Sequence, residues 1–277
     1  MKDSECVEFL QWALPRLRMR WPGFRRVRKQ VCKRFNRRIS YLKLSSVIDY
    51  QSYLERHAEE WPILDSLCRI TISRFYRNRK IFALLEQEIL PRLARQVLDR
   101  GERILQIWSA GCCAGEEPYS IVLSWDFVVS PRFPDLNIHL SATDSDNNML
   151  QRAEDGCYSA GSIKEIPESW RDAAFEKTND LYRLRPQFKT KVDFLEHDVR
   201  KGIPDGLFHL IVCRNLVFTY FDLELQSEIA QRMWENLVTG GVLIIGARET
   251  LPSNGMAFKE HGRRLGIYKK ALEIASV

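Results

Sequence analysis

Apolar residues between Phe24 and Leu42 recur at steps of three or four: Phe24, Val27, Val31, Phe35, Ile39 and Leu42. That spacing lines one face of a helix, and arginines and lysines fill the other faces. A second helix is expected from Ser46 to Glu60, with Val47, Tyr50 and Leu54 inward, before Pro62 interrupts the pattern. The segment Ile63 to Ser73 then leads into the aromatic pair Phe75 and Tyr76. A further helix, Ile81 to Leu98, carries Leu84, Leu85, Ile89 and Leu93 on one side and is expected to kink at Pro91. The first hundred residues therefore read as helical.

At Arg103 the period changes. Ile104 to Trp108 is a short apolar run ending in Ser109-Ala110-Gly111, which reads as a buried strand and a turn. A helix follows from Glu116 to Val128, a strand from Asn137 to Thr143 and a helix from Asn147 to Asp155. Further strands are expected at Val192 to Leu195, Phe208 to Cys213, Val242 to Gly246 (after a turn at Thr239-Gly240-Gly241) and Arg264 to Lys270, with a helix from Leu223 to Leu237. Apolar strands that alternate with helices predict an α/β fold, a mostly parallel sheet covered on both faces. The boundaries read as a basic helical domain and linker over 1–98 and an α/β domain over 99–277.

Charge sharpens this division. Arg16 to Lys43 holds twelve Lys or Arg and no acid, while the whole chain is only +6, so the remainder carries −6. The basic surface is local, which argues against a general nucleic-acid coat. Aromatic residues (Trp21, Phe24, Phe35, Tyr41) interleave the charges, but several lie on the apolar stripe and are better explained as core, so nucleic acid is the weaker partner reading. No apolar run reaches the ~18 residues of a membrane span. The first fifteen residues are too broken by charge for a secretory signal, and the cytoplasm is the expected compartment. The seven cysteines show no C-x-x-C spacing, so neither a zinc site nor a disulfide framework is expected, and no metal is implied.

In such sheets ligands bind beyond the carboxyl ends of the strands. The loop after the first strand reads Gly111-Cys112-Cys113-Ala114-Gly115, then Glu116-Glu117-Pro118 opens the helix. A phosphate loop would place Lys-Ser/Thr there. Two carboxylates repel phosphate and favour a cation, as in S-adenosylmethionine, which bears a sulfonium and an ammonium and no phosphate; they also complement the helix dipole. Asp144 follows the second strand and suits the ribose hydroxyls, although it also sits where a helix cap would. It lies further from the glycine loop than the usual ~20 residues, a difference that the insertion Pro131 to Asp135 absorbs.

Taken together, Arg74-Phe75-Tyr76-Arg77, Trp108 to Gly111, Gly115-Glu116-Glu117-Pro118-Tyr119-Ser120, Ala142 to Asp146, Gly156-Cys157-Tyr158, Cys213-Arg214-Asn215, Tyr220-Phe221-Asp222 and Gly240-Gly241 form a recognisable series. In this order the chain resembles the CheR-type protein-glutamate O-methyltransferases of bacterial chemotaxis. The specific combination is GEEPYS with CRN far downstream. The resemblance implies a Rossmann-like class I S-adenosylmethionine methyltransferase sheet, an all-helical N-terminal domain and a small β-hairpin insertion, here about 175–192, which looks short. It implies cofactor contacts at Thr71, Ser73, Arg77, Gly111, Glu117, Asp144, Asp198, Val199, Asn215 and Leu216, with S-adenosylhomocysteine as product. Thr71 and Ser73 depart from the family's Asn-x-Thr but keep hydroxyls, and Asp198 stands where Asn is common. It further implies that the basic helix (Arg25, Arg28, Lys29, Arg38) docks on an acidic protein substrate.

Two departures mark a divergent branch. Four residues, Leu216 to Thr219, separate Asn215 from Tyr220 where the family has three, so either Tyr220 or Thr219 takes the active-site tyrosine position; the retained Tyr-Phe-Asp favours Tyr220. Gly246-Ala247-Arg248-Glu249 replaces the family's Gly-His-Ser-Glu.

A carboxylate acceptor, whose ordinary pKa is near ~4.3, is ionised at neutral pH and needs orientation rather than a base. Arg77 suits that task as a bidentate donor, with Tyr220 adding a hydroxyl, while Arg214 reads as structural. An amine or hydroxyl acceptor would want a base, and His197 is the nearest histidine in the sequence. The expectation is thus an enzyme that methylates a protein glutamate. The alternatives are methylation of a small carboxylic acid or another nucleophile, and a non-catalytic module that binds the cofactor or nucleic acid.

Overall fold

The computed structural model describes residues 2–252, 258–261 and 265–271. The chain folds into two compact units, 1–70 with 216–226, and 71–215 with 227–277.

The first unit is helical. Its main helices are Asp3–Ala13, Arg28–Tyr41, Val47–Arg56 and Glu60–Cys68. The predicted stripe holds within helix Arg28–Tyr41, where Val31, Phe35 and Ile39 are buried and Phe35 meets Phe9 edge-on at 5.3 Å. Phe24 belongs to the short helix Trp21–Phe24, and Val27 and Leu42 flank the longer helix, both only partly buried. Ser46 caps its helix by accepting from Asp49 N. Pro62, expected to interrupt the pattern, lies instead in the first turn of helix Glu60–Cys68, where a missing N–H costs nothing. Glu60 is buried and grips Arg38 through two bonds (2.8 and 2.6 Å) while accepting from the Tyr50 hydroxyl at 2.8 Å.

A disulfide joins Cys6 to Cys32, linking the first helix to the basic one. Their separation of 26 residues carries no signal by itself; helix packing brings the two Cα atoms to 6.0 Å, against the expectation from spacing alone. The segment 216–226 completes this unit. Arg20 N donates to Tyr220 O and Asp222 N donates to Arg18 O, and Phe24 packs on the Tyr220 ring at 5.0 Å.

In the second unit, seven strands among the described residues form one sheet. β1 (Ile104–Ala110), β2 (Asn137–Asp144) and, after three short strands, β6 (Val192–Glu196), β7 (Phe208–Cys213) and β8 (Leu237–Ile245) pair in parallel. β9 (Phe258–Glu260) and β10 (Ile267–Lys270) are antiparallel, giving the order β6-β2-β1-β7-β8-β10-β9. Arg264, the expected start of the last strand, lies outside the described residues. The order reverses beside β1, which sets the ligand crevice at its carboxyl end. All six residues of β7 are buried, as its unbroken apolar run requires. Gly240 and Gly241, expected in a turn, lie within β8, where the pairing with β7 shifts register between Phe208 and Leu210.

The short strands β3 (Cys157–Ser159), β4 (Phe175–Thr178) and β5 (Leu181–Leu184) form a separate antiparallel sheet in the order β3-β5-β4. Helix 79–99 packs Phe82, Leu85, Leu93 and Val97 into the core of the α/β unit, so the division of the chain falls at 70/71, where the sequence pattern places it at 98/99. Its expected kink takes the form of one π-helical turn at Leu85–Ile89, just ahead of Pro91. Proline lacks the N–H and crowds the preceding turn, and the wider turn accommodates both.

Candidate active site

The glycine loop leaves β1 and is pinned to the neighbouring strand: Gly111 N and Cys112 N both donate to Thr143 O, at 2.8 and 2.9 Å. Gly111, Cys113 and Gly115 all have positive φ (74°, 52° and 86°). At Gly115 a Cβ would stand 2.9 Å from Ala153 Cβ and 3.1 Å from the Tyr158 hydroxyl, so the loop has no room for a side chain there. Tyr158 donates to Ala114 O at 2.8 Å and braces the loop from the small sheet.

Asp144 leaves β2 with its side chain turned to this loop. Oδ2 accepts from Cys113 N and Oδ1 from Asp146 N, each at 2.9 Å. The cap of helix Asn147–Asp155 is Asp146, which accepts from Asn148 N. Asp144 is therefore the carboxylate that ties the second strand to the glycine loop, and capping is not its role.

The two glutamates part company. Glu117 Oε2 pairs with Arg214 Nη1 at 3.0 Å and its Oε1 accepts from Ser109 at 3.2 Å. Arg214 is 5% exposed and also donates to Arg77 O at 2.6 Å. Read from sequence as packing, Arg214 is in fact the link between the β7 terminus, the glycine-loop helix and the linker. Glu116, 6% exposed, turns the other way. Its Oε1 accepts from Ser162 at 3.3 Å, and its Oε2 has no hydrogen-bond partner among the described residues. Burial leaves Cys112 and Cys113 as neutral thiols, with Cys113 pushed up to about 12.

Tyr76 N donates to Ser120 at 3.0 Å, anchoring the linker to the helix that follows the glycine loop. Arg77 donates to Ile72 O at 2.9 Å. Thr71 and Ser73 lie on one wall of a cavity of about 550 Å³ that Cys113, Ala114 and Glu116 also line. Asp144, Asp198, Val199 and Asn215 do not line that cavity. Asp198 is held by Arg200 in a fork (3.0 and 2.7 Å). Burial raises its pKa, but the Arg200 bonds outweigh this and keep the carboxyl below its ordinary value. Val199 is buried beside it.

Asn215 adopts φ 58° and donates its N–H to Glu249 Oε2 at 3.0 Å; the same oxygen accepts from Gly246 N. Glu249 thereby clamps the ends of β7 and β8, a role no local sequence signal announced. Leu216 and Tyr220 fall in the helical unit, where Tyr220 ends the short helix Val217–Tyr220. The extra residue relative to the family motif is thus contained in a helical turn.

A strand-ordered crevice with this glycine loop and acidic strand end matches the family model described as CheR methyltransferase, SAM binding domain, over residues 71–267. The chain belongs to the CheR methyltransferase family. A "chemotaxis protein methyltransferase" of Listeria monocytogenes is 34% identical over 216 residues, covering 77% of this chain and 79% of that protein. A "chemotaxis protein methyltransferase 2" of Vibrio cholerae is 30% identical over 249 residues, covering 86% and 84%. Solved structures align more loosely, such as the N-methyltransferase NodS of Bradyrhizobium japonicum with S-adenosyl-L-homocysteine, at 15% identity and a TM-score of 0.31 over 61% of this chain and 67% of that one.

This CheR-family chain is an S-adenosylmethionine-dependent methyltransferase. Thr71 and Ser73 bring hydroxyls to the cavity beside the glycine loop, Glu117 and Asp144 hold the loop from outside that cavity, and the loop carries no lysine for phosphate. No helix among the described residues is long and apolar enough to cross a membrane, and none of their His, Cys, Asp and Glu residues group as metal ligands.

Proposed function

We propose that the chain methylates a carboxylate, the side chain of a protein glutamate. When bound, S-adenosylmethionine supplies a methyl carbon already activated by its sulfonium. Under this reading Asp144 holds the ribose, Asp198 and Val199 flank the adenine, Asn215 and Leu216 close the nucleoside end, and Thr71, Ser73 and Glu117 address the amino-acid end. Arg77 orients the acceptor carboxylate through its guanidinium, and Tyr220 contributes its hydroxyl. An ionised carboxylate needs to be placed in line and left unprotonated.

The observation that carries this reading is the set of relatives, which are named chemotaxis protein methyltransferases. It agrees with the chemistry, since a carboxylate acceptor is already ionised and requires no base. His197 donates Nε2–H to Gly202 O at 3.0 Å, which leaves its Nδ1 as the one nitrogen able to serve an amine or hydroxyl acceptor.

The relatives' names point to chemotaxis, and an acidic protein is the partner this reading favours. Of the docking residues that the resemblance implies, two are engaged within the helical unit. Arg28 pairs with Asp3 and Arg38 with Glu60, so both serve the helical unit itself. Arg25 and Lys29 are exposed, and Arg26, Lys33 and Arg37 join them on the surface.

The test is methyl transfer from tritiated S-adenosylmethionine into a cell lysate. Base-labile label on protein is expected; label confined to small molecules overturns the acceptor assignment, and cofactor binding without transfer overturns the enzyme role. Asp144→Ala should weaken S-adenosylhomocysteine binding at least about tenfold, and unchanged calorimetric affinity removes Asp144 from the donor pocket. Arg77→Ala should lose turnover more than affinity. Comparing Tyr220→Phe with Thr219→Ala identifies which residue holds the tyrosine position.

A further inference from the structure

The cavity beside the glycine loop has a composition that the donor does not use up. Its floor carries Glu116, 94% removed from solvent by its 6% exposure, with Oε2 unpartnered. A buried carboxylate oxygen without a donor costs on the order of 1–3 kcal/mol or more, a cost that a ligand N–H would relieve. Around the cavity stand Arg74, Arg152 and Lys164, all exposed. None of the three has a carboxylate partner among the described residues, although Arg79, Arg200 and Arg214 of the same unit are each ion-paired.

One buried anion and three unpaired cations leave the cavity at a net +2. Its volume of about 550 Å³ lies in the range of ligand sites rather than packing defects. The preferred occupant is therefore an anion that also presents a hydrogen-bond donor at depth. A phosphate group is all acceptor and would face the Glu116 carboxylate; a peptide with carboxylate side chains supplies both, because each residue brings an amide N–H. Thr71 and Ser73 on one wall are the residues read above as reaching the amino-acid end of the methyl donor, which sets the cavity next to the transferred group.

We propose that this cavity is the subsite for the acceptor chain, taking an acidic peptide segment whose carboxylates meet Arg74, Arg152 and Lys164 and whose amide N–H reaches Glu116. This rests on the reading of a protein carboxylate as acceptor. It places substrate recognition on the face formed by the linker turn 71–74 and the small sheet, in addition to the basic helix.

Cys157 gives a local probe. It lines the cavity as a half-exposed thiol, while the other cysteines outside the disulfide, Cys68, Cys112, Cys113 and Cys213, are buried. The experiment follows iodoacetamide alkylation of Cys157 by peptide mass spectrometry in the full chain, with S-adenosylhomocysteine bound and acetyl-tetraglutamate amide added. The tetrapeptide is expected to slow alkylation. Arg152→Glu combined with Lys164→Glu should raise the peptide concentration needed by about tenfold. Reversing Lys29 and Lys33 on the basic helix should leave protection of Cys157 unchanged.

The proposal is overturned if the tetrapeptide leaves the Cys157 rate unaltered. It is also overturned if S-adenosylhomocysteine alone gives full protection, which would assign the cavity to the donor, or if ATP protects where the peptide does not. The two readings fail separately. Label found only on small molecules, with Cys157 still protected by the peptide, sinks the protein-acceptor reading and keeps the acidic-peptide site. Base-labile protein label with an unchanged KM in the double variant sinks the subsite and keeps the reading.

Discussion

Glu116 and Glu117 show how far neighbouring residues at one helix start diverge. Successive side chains on a helix point about 100° apart, so the pair cannot act as one acidic rim. Glu117 is neutralised by the buried Arg214 and Glu116 faces the cavity. Sequence alone shows two acids and no phosphate-binding lysine, and from that the class of cofactor was legible. Their partners were not, because Arg214 and Ser162 arrive from distant segments. The same holds for Glu249, whose clamp on Asn215 and Gly246 exists only once β7 and β8 pair. Gly115, by contrast, was readable as a tight approach, and the structure says to what. Gly115→Ala should cost about 2–3 kcal/mol from the positive φ and the contact with Ala153. It should also weaken cofactor binding. Thermal melting and calorimetry check both, and a melting temperature within a degree or so of wild type would show the loop to be more yielding than this geometry.

Elements defined by strong local periodicity came out to the residue: Asn147–Asp155 as helix and Phe208–Cys213 as strand. Elements whose boundaries rest on proline or glycine did not. Pro62 punctuates a sequence equally well from inside a first helical turn, and Gly240-Gly241 marks a register shift as readily as a bend. The three-strand small sheet was half legible, since β3 joins it from a segment known only by its motif. Within the helical unit, helices Arg28–Tyr41 and Glu60–Cys68 are fastened by Arg38 and Glu60. Burial pushes the Glu60 carboxyl up, yet the bonds from Arg38 and Tyr50 hold it below its ordinary value. A depressed carboxyl contributes stability that is present above its unfolded pKa of about 4.5 and is lost as pH falls through the folded value. Glu60→Gln leaves the half-buried Arg38 with a neutral partner and should cost about 3 kcal/mol at neutral pH. It should also remove part of the acid limb. Urea titrations at pH 7 and pH 3.5 test this: the difference between variant and wild type should shrink at the lower pH, and an undiminished difference would assign the loss to packing.

For the molecule as a whole, the basic stretch is less available than its composition suggests. Arg28, Arg34 and Arg38 are spent on Asp3, on the carbonyls of Leu67 and Arg69, and on Glu60. Arg25, Arg26, Lys29, Lys33 and Arg37 remain on the surface. Exposed charges act over a Debye length of about 8–10 Å at ordinary salt. The KM for an acidic protein acceptor should therefore rise several-fold between low salt and about 0.3 M. Lys29→Glu with Lys33→Glu should reproduce much of that rise at low salt. Initial rates against ionic strength decide it, and a salt-insensitive KM would leave the basic helix without a part in encounter.

The chain enters the helical unit, leaves it at 70, and comes back for residues 216–226 before finishing in the sheet unit. That return visit brings the backbone partners of Arg18 and Arg20 and the ring against Phe24. Neither half is therefore a module that can be excised or exchanged at one junction. A fragment ending at residue 70 would lack a piece of its own interior, and recombination between relatives must carry both crossings together to yield a working enzyme.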